Sequence, residues 1–369
     1  MKVLISGAGV AGPVLAYWLS RGGFAATIVE RSPVPRVGGQ AIDVRGVALD
    51  VVDRMGVLAE IRAAATNMRG MSFVDDDGAE LMRTTEETLT GGVIGSPDVE
   101  VLRDDLCGIF LRAAGDDVRT VYGDRITALD EHEDGVRVSF HSGQVEEFDL
   151  VVGADGLHSA VRALTFGQES QFLRHLGAYL SVFTTPNFLD LDHWQVFHRT
   201  ETTMSGVYSA RGNTEARSML GFMSDGLDFD HRDPAAQHDL VAERYEGVGW
   251  ETKRLLAFMR EAPDFYFDSM SQVKMERWWR GRIALVGDAA YCGSPLSGQS
   301  TSTAIVGAYV LAAELKAAAG DHRTAFPRYQ EALREFVDRN QALATDTPGE
   351  PASHEKIAAA ANSLELPAP

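Results

Sequence analysis

The chain has 369 residues, 45% of them hydrophobic and 24% charged, which suits one large or two ordinary globular domains. Its 53 acidic residues against 34 basic ones leave a net charge of −19, which opposes binding to nucleic acid or to an anionic membrane surface. The two cysteines, Cys107 and Cys292, form no spaced framework and point to a reducing, cytoplasmic setting, and the sequence has neither Cys-His zinc spacing nor a Walker A loop.

Lys2 to Ser6 read as a buried parallel strand. Gly7, Gly9 and Gly12 follow in G-x-G-x-x-G spacing, and an apolar helix starts at once. Such a loop lets the backbone approach a pyrophosphate, while the helix N-terminus offers free N–H groups and a positive dipole end. Glu30 closes the next strand, where an acid accepts hydrogen bonds from a ribose. The glycines interrupt the apolar stretch, so a signal peptide explains it poorly. No later segment offers about 18 uninterrupted apolar residues, so no membrane-spanning helix is expected.

Residues 31–46 read as a loop and 47–65 as one helix. Residues 71–83 alternate as a hairpin does, with DDDG as its turn, and 99–114 read as a strand entering a helix. Three strand candidates fill 119–152. From 172 to 223 short β runs separated by turn signals indicate an antiparallel sheet, unlike the α/β beginning. A helix over 234–262, a strand over 265–275, the apolar strand of RIALVGDAA, and helices over 300–318 and 322–345 follow. Beyond Thr347 the Ala-, Pro- and Glu-rich tail reads as partly disordered.

Two further signatures share one pattern, a buried strand that ends in an acid. DLVVGADGLHSAVR carries Asp155-Gly156, and GRIALVGDAAYCGSPLSGQSTS carries Gly287-Asp288. Such acids sit at the carboxyl edge of a doubly wound sheet, where ligands bind. Taken singly, each is more simply a helix cap or turn residue.

In this order the three motifs resemble those of single-component FAD-dependent aromatic hydroxylases, the p-hydroxybenzoate hydroxylase-like family that includes tetracycline-inactivating monooxygenases. The resemblance spans roughly residues 1–345 and implies an α/β fold: a Rossmann-like FAD-binding domain interrupted by a β-rich substrate domain, with C-terminal helices. The expected division gives 1–70, 99–171 and 276–320 to the FAD domain, and 71–98 and 172–275 to the substrate domain. Residues 321–346 form a C-terminal helix and 347–369 a tail.

The resemblance implies that FAD is held noncovalently by Gly7, Gly9, Gly12, Glu30, Arg31, Arg45, Arg103, Asp155, Gly287, Asp288, Pro295, Gly298, Ser300 and Thr301. One stretch departs from the family's common P-x-x-G-x-G-x-N: Ser300 stands for a glycine and Ser302 for the asparagine. Amides there face the flavin pyrimidine edge in the family and stabilise the negative charge of reduced flavin.

Only one dinucleotide fingerprint is present, so the resemblance implies that NAD(P)H acts as a transient reductant. Oxygen then adds to the flavin C4a, and the hydroperoxide hydroxylates an aromatic or polycyclic, polyketide-like substrate. The flavin carries the chemistry, so no catalytic side chain and no metal is assigned. The β-rich segment is expected to line the substrate pocket through Trp194, Phe197, His198, Tyr208, Arg211, Phe222 and Met223. For each of these alone, ordinary sheet packing or surface exposure is the simpler reading. Cys292 reads as a packed thiol. Two alternatives stay open: a reductase, oxidase or dehydrogenase on the same fold, and a flavoprotein that only binds a ligand.

Overall fold

The computed structural model describes residues 1–230, 233–345 and 352–368. A six-stranded sheet runs in the order Trp279–Arg280, Ile283–Leu285, Leu150–Gly153, Lys2–Ser6, Ala25–Glu30, Arg119–Tyr122. Every pairing is parallel except that of the Trp279–Arg280 edge. Val3, Leu4, Ile5, Leu150, Val151 and Val152 are fully buried. Strands covered on both faces need continuous apolar runs, which is what these residues supply.

The helix Ala11–Arg21 packs on the long helix Ser300–Ala317, and His322–Ala342 packs on the latter's far side. Ser300–Ala317 is apolar nearly all round, as a helix enclosed on every side must be.

A second sheet has seven strands, in the order Tyr266–Val273, Leu173–Pro186, Glu215–Met223, Thr203–Ala210, Gln195–Arg199, Met71–Val74, Glu80–Thr84. The early hairpin 71–84 joins it through parallel pairing of Met71–Val74 with Gln195–Arg199. One face lies under the helices Pro234–Arg244 and Thr252–Glu261, with Tyr179, Val207, Leu220, Phe222, Tyr245 and Leu255 in that core. The opposite face meets the two-stranded sheet Ala41–Val44/Val99–Leu102, where Tyr208 and Ala210 pack on Ala41 and Leu102. The expected arrangement, an α/β unit interrupted by a β-rich one and followed by helices, is the one observed.

Three local expectations are corrected. The helix expected over 47–65 is two, Val47–Arg54 and Leu58–Ala63, broken where Gly56 takes φ +76°. The helix expected over 234–262 is also two, with Gly247 at φ +79° between them. Within the tail, which is read as partly disordered, His354–Ala361 is a helix whose Ser353 side chain accepts the Lys356 N–H. Asn340 donates to the Ala360 carbonyl, and Tyr309 and Arg54 both donate to that of Pro367. The remainder of the expected tail, residues 347–351 and 369, lies outside the described residues, as does residue 346 of the expected C-terminal helix. Among the described residues, no helix is long and apolar enough to cross a membrane.

Candidate functional site

The glycine turn is built by steric necessity. Gly7 takes φ +109°, and a Cβ there would lie 2.5 Å from the Ala154 carbonyl oxygen. A Cβ on Gly12 would lie 2.0 Å from the Gly7 oxygen. At Gly9 a Cβ would meet nothing within 4 Å, so this glycine faces an open groove. The helix that follows has no side-chain cap at Val10, which leaves its first N–H groups facing that groove. Glu30, buried at the end of its strand, accepts the N–H groups of Ala8 and Ser32 at 2.9 Å each. Arg36 approaches it at 3.6 Å, and Arg31 is exposed beside it.

The second acid behaves differently. Asp155 accepts the Ser159 hydroxyl and, at 3.1 Å, the Val161 N–H. Its carboxylate therefore shapes the turn into the helix Ala160–Phe166, and burial raises its pKa against these bonds. The fully buried Arg162 crosses from that helix to the Ala289 carbonyl at 3.0 Å. Beside it, His158 lies between Glu169 at 2.9 Å and Asp268 at 2.9 Å. Burial opposes its charge, but the two carboxylates outweigh it and push its pKa up to about 9.

Gly287 takes φ +64°, and a Cβ there would sit 3.2 Å from that of Ala11 and 3.3 Å from that of Ala304. Two helices converge on this strand end. Asp288 opens the short helix Asp288–Tyr291, and burial raises its pKa while Cys292 and Arg103 lower it. Arg103 starts the helix Arg103–Ala114 and donates its N–H to the Gln40 carbonyl at 3.1 Å. Pro295 begins a single 3-10 turn ended by Gly298 at φ +62°. The helix Ser300–Ala317 then starts without a side-chain cap, with Thr301 in its first turn.

Here the chemistry is incomplete within the protein. Both amide atoms of the buried Gln299 side chain lack a hydrogen-bond partner. Each such group costs about 1–3 kcal/mol if left unmatched. The set of donors and acceptors fits the polar edge of a flavin, and the glycine turn fits its pyrophosphate, so the residues present suit FAD.

Arg45 lies across from this helix start. Its backbone N–H donates to Ser302 Oγ at 3.0 Å, and its guanidinium bonds Asp43 at 2.8 Å. Burial pushes the Asp43 carboxyl up to about 7 despite Arg45. Glu100, on the neighbouring strand, accepts the hydroxyls of Thr66 and Thr90, and its pKa is likewise raised by burial.

The strand residues expected to face the substrate divide between two faces. Tyr208 is on the face toward Ala41, whose N–H it accepts at 2.8 Å. Phe197, two registers along, lies on the same face. His198 does not: it pairs with Ser205, bonds Asp76 at 2.7 Å and stacks 6.0 Å from Trp250. Phe222 points into the core beneath the two helices, stacked 5.5 Å from Tyr179. Trp194 donates to Ser72 and lies under Arg83. Side chains alternate along a strand, so these three are turned from the groove. Arg211 binds Asp104, Asp105 and Glu215, which makes it a surface clasp between sheet and helix. Met223 ends its strand 58% exposed.

The face toward Ala41 instead carries Gln195 and Arg217, both paired opposite Tyr208. Arg217 donates to the Gly39 carbonyl at 3.1 Å and to Glu215 at 2.7 Å. Gln195 accepts the Leu89 N–H and donates to Thr90. Alternation from Tyr208 along each strand points to both, once that face is identified.

Comparison with known proteins matches this geometry. A family model described as an FAD binding domain covers residues 1–339. A protein of Mycobacterium tuberculosis strain H37Rv, Rv1260, is 55% identical over 348 residues, 94% of each chain. A flavin-dependent monooxygenase of Legionella longbeachae is 43% identical over 341 residues, 92% of this chain and 87% of that one. The crystal structure of tetracycline destructase Tet(51) superimposes with a TM-score of 0.91 at 36% identity, covering 100% of this chain and 99% of that chain.

Proposed function

The chain belongs to the FAD-binding-domain family of flavin-dependent monooxygenases, and on that premise we propose that it uses NAD(P)H and O2 to hydroxylate an aromatic or polycyclic, polyketide-like small molecule. The observation that carries the substrate class is full-length similarity to a tetracycline destructase.

Bound FAD supplies the two-electron redox chemistry and the activation of O2. The protein's part is placement. The turn through Gly7, Gly9 and Gly12 and the uncapped helix behind it hold the pyrophosphate. Glu30 and Asp288 would accept hydroxyls of the ribose and the ribityl chain, and Arg31, Arg45 and Arg103 would supply positive charge to the bound cofactor. Gly287 lets the strand end approach closely, and Pro295 and Gly298 shape the loop that covers the ring. The N-terminal amides at Ser300 and Thr301 would face the pyrimidine edge of the flavin, where their dipole would favour the anionic reduced form. Asp155 acts indirectly, by fixing the turn against which Gly7 packs. The seven-stranded sheet and the loop 291–300 keep water from the reacting atoms.

The test is a substrate screen read by NAD(P)H consumption and product mass under labelled O2. Substrate-stimulated consumption with one labelled oxygen atom in the product supports the proposal. Turnover without incorporation replaces it with a reductase or oxidase, and absence of turnover across a broad panel replaces it with a ligand-binding flavoprotein.

A further inference from the structure

The short helix Asp288–Tyr291 and the loop after it have few bonds of their own, yet they carry Asp288 and lead to the uncapped helix start at Ser300. A four-residue helix leaves its carbonyls without internal partners. Those of Ala289 and Tyr291 are matched from elsewhere, and the Cys292 carbonyl that follows also accepts the Val273 N–H at 3.1 Å. Arg162 takes the Ala289 carbonyl. Gln341, buried on the helix His322–Ala342, donates from one amide nitrogen to the carbonyls of Tyr291 at 3.1 Å, Cys292 at 3.0 Å and Val273 at 2.9 Å. Gln272, buried on the strand Tyr266–Val273, donates to the Gly293 carbonyl at 3.2 Å and to the Gln341 backbone carbonyl at 2.7 Å. Lys274 donates to the Gln341 side-chain oxygen at 2.7 Å, which polarises the amide and strengthens its own donation.

We propose that Gln341 and Gln272 are positioning residues for the cofactor: together they hang the segment 291–293 from elements outside the three cofactor motifs and so set where Asp288 and the 295–300 loop meet the flavin. Arg162 fixes one end of the segment and the two glutamines fix the other. An amide is suited to this task, because it donates to several carbonyls while its oxygen is held by Lys274. An apolar residue of equal size fills the space but leaves the Tyr291 carbonyl, or for Gln272 that of Gly293, without its donor, and the segment must then shift to find a partner.

The proposal rests on the reading of Asp288 and its loop as flavin-facing, so the experiment carries a variant for each. FAD is titrated into apo-protein of the wild type, Gln341→Met, Gln272→Met, Asp288→Ala and Arg334→Ala, and the midpoint potential of bound flavin is measured. Arg334 anchors the same helix as Gln341 but bonds the Met275 and Glu276 carbonyls and none of the segment 291–293. Gln341→Met and Gln272→Met are each expected to weaken FAD binding about tenfold, as loss of a ligand-orienting partner does, while Arg334→Ala stays within about twofold of wild type. Both glutamine variants should also lower the midpoint potential, because the helix dipole at Ser300 no longer faces the ring squarely. FAD binding by Gln341→Met and Gln272→Met at wild-type strength overturns the proposal. So does an equal loss in Arg334→Ala, which would mean that helix docking in general is responsible. Should Gln341→Met fail to fold, Gln272→Met decides alone. If Asp288→Ala weakens FAD and the glutamine variants do not, the positioning proposal falls by itself; if Asp288→Ala also binds normally, the flavin-facing reading of the loop falls with it.

Discussion

Ser302 Oγ accepts the backbone N–H of Arg45 at 3.0 Å, joining the first turn of the long helix to the end of the strand Ala41–Val44. The family resembled by the motifs commonly has asparagine at this position. The hydroxyl is short enough to reach the strand end directly and also donates to the Asp43 carbonyl at 3.4 Å. The departure in sequence thus has a structural use, which fixes Arg45 and Asp43 against the start of the helix.

Ser302→Ala is expected to leave the buried Arg45 N–H unmatched and to destabilise the protein by about 1–3 kcal/mol. Urea unfolding at fixed FAD concentration measures it. A midpoint equal to that of the wild type would mean that the strand end relaxes freely.

Asp288→Ala should weaken FAD binding by about 1–3 kcal/mol, because a half-buried acceptor for the cofactor is removed. Fluorescence titration of apo-protein with FAD reads the change. Unchanged affinity would remove Asp288 from the site.

The glycines of the first turn should separate by role. At Gly12 a methyl group collides with the Gly7 carbonyl at 2.0 Å, so Gly12→Ala should lose folded protein. Overpacking of this kind costs about 1–3 kcal/mol or more. At Gly9 a methyl group meets no protein atom within 4 Å, so Gly9→Ala should fold normally and fail only in holding FAD. Circular dichroism and flavin content together make the distinction, and a Gly9→Ala protein that retains flavin would place the pyrophosphate elsewhere.

The histidine between Glu169 and Asp268 gives a pH dependence. Its folded pKa of about 9 lies above the ordinary 6.5, so its stabilisation is fully present below pH 6.5 and is lost as pH rises toward 9. Asp43 also has a raised pKa, but its contribution falls between the ordinary 3.8 and about 7, mostly below that window. His158→Gln should flatten the stability curve between pH 7 and 9, as read by urea unfolding at several pH values. An identical slope in variant and wild type would show that the histidine's charge does not hold the two elements together.

What was readable from sequence was whatever is encoded locally. Gly7, Gly9 and Gly12 announce their turn because no other residue fits it, and Gly287-Asp288 follows an apolar run that can only be a buried strand. The partition of the seven-stranded sheet was not readable. Strand alternation sorts Tyr208 from Val207 and Phe197 from His198, but it does not say which set a pair of helices will cover. Sequence alone therefore groups His198 and Phe222 with Tyr208 although they face the other way, and gives no sign that Gln195 and Arg217 share its face. The buried acids Asp43 and Glu100 are silent in sequence for a related reason. Each sits in an ordinary strand, and only tertiary contact with Arg45, Thr66 and Thr90 makes it exceptional.

The six-stranded sheet has its first strand at the centre, paired with residues far along the chain. Val3 lies beside Leu150, and Val151 beside Ile283. During synthesis the N-terminal strand and its glycine turn emerge first but stay unpaired on one side until Leu150–Gly153 arrives. That strand in turn has an open edge until Ile283–Leu285 follows. Pairings so distant are slow to close, and open apolar edges invite aggregation meanwhile. Fragments that stop short of Ile283 should therefore collect in inclusion bodies, and in a library of C-terminal truncations soluble, FAD-binding product should be recovered only from pieces that extend past Ile283–Leu285.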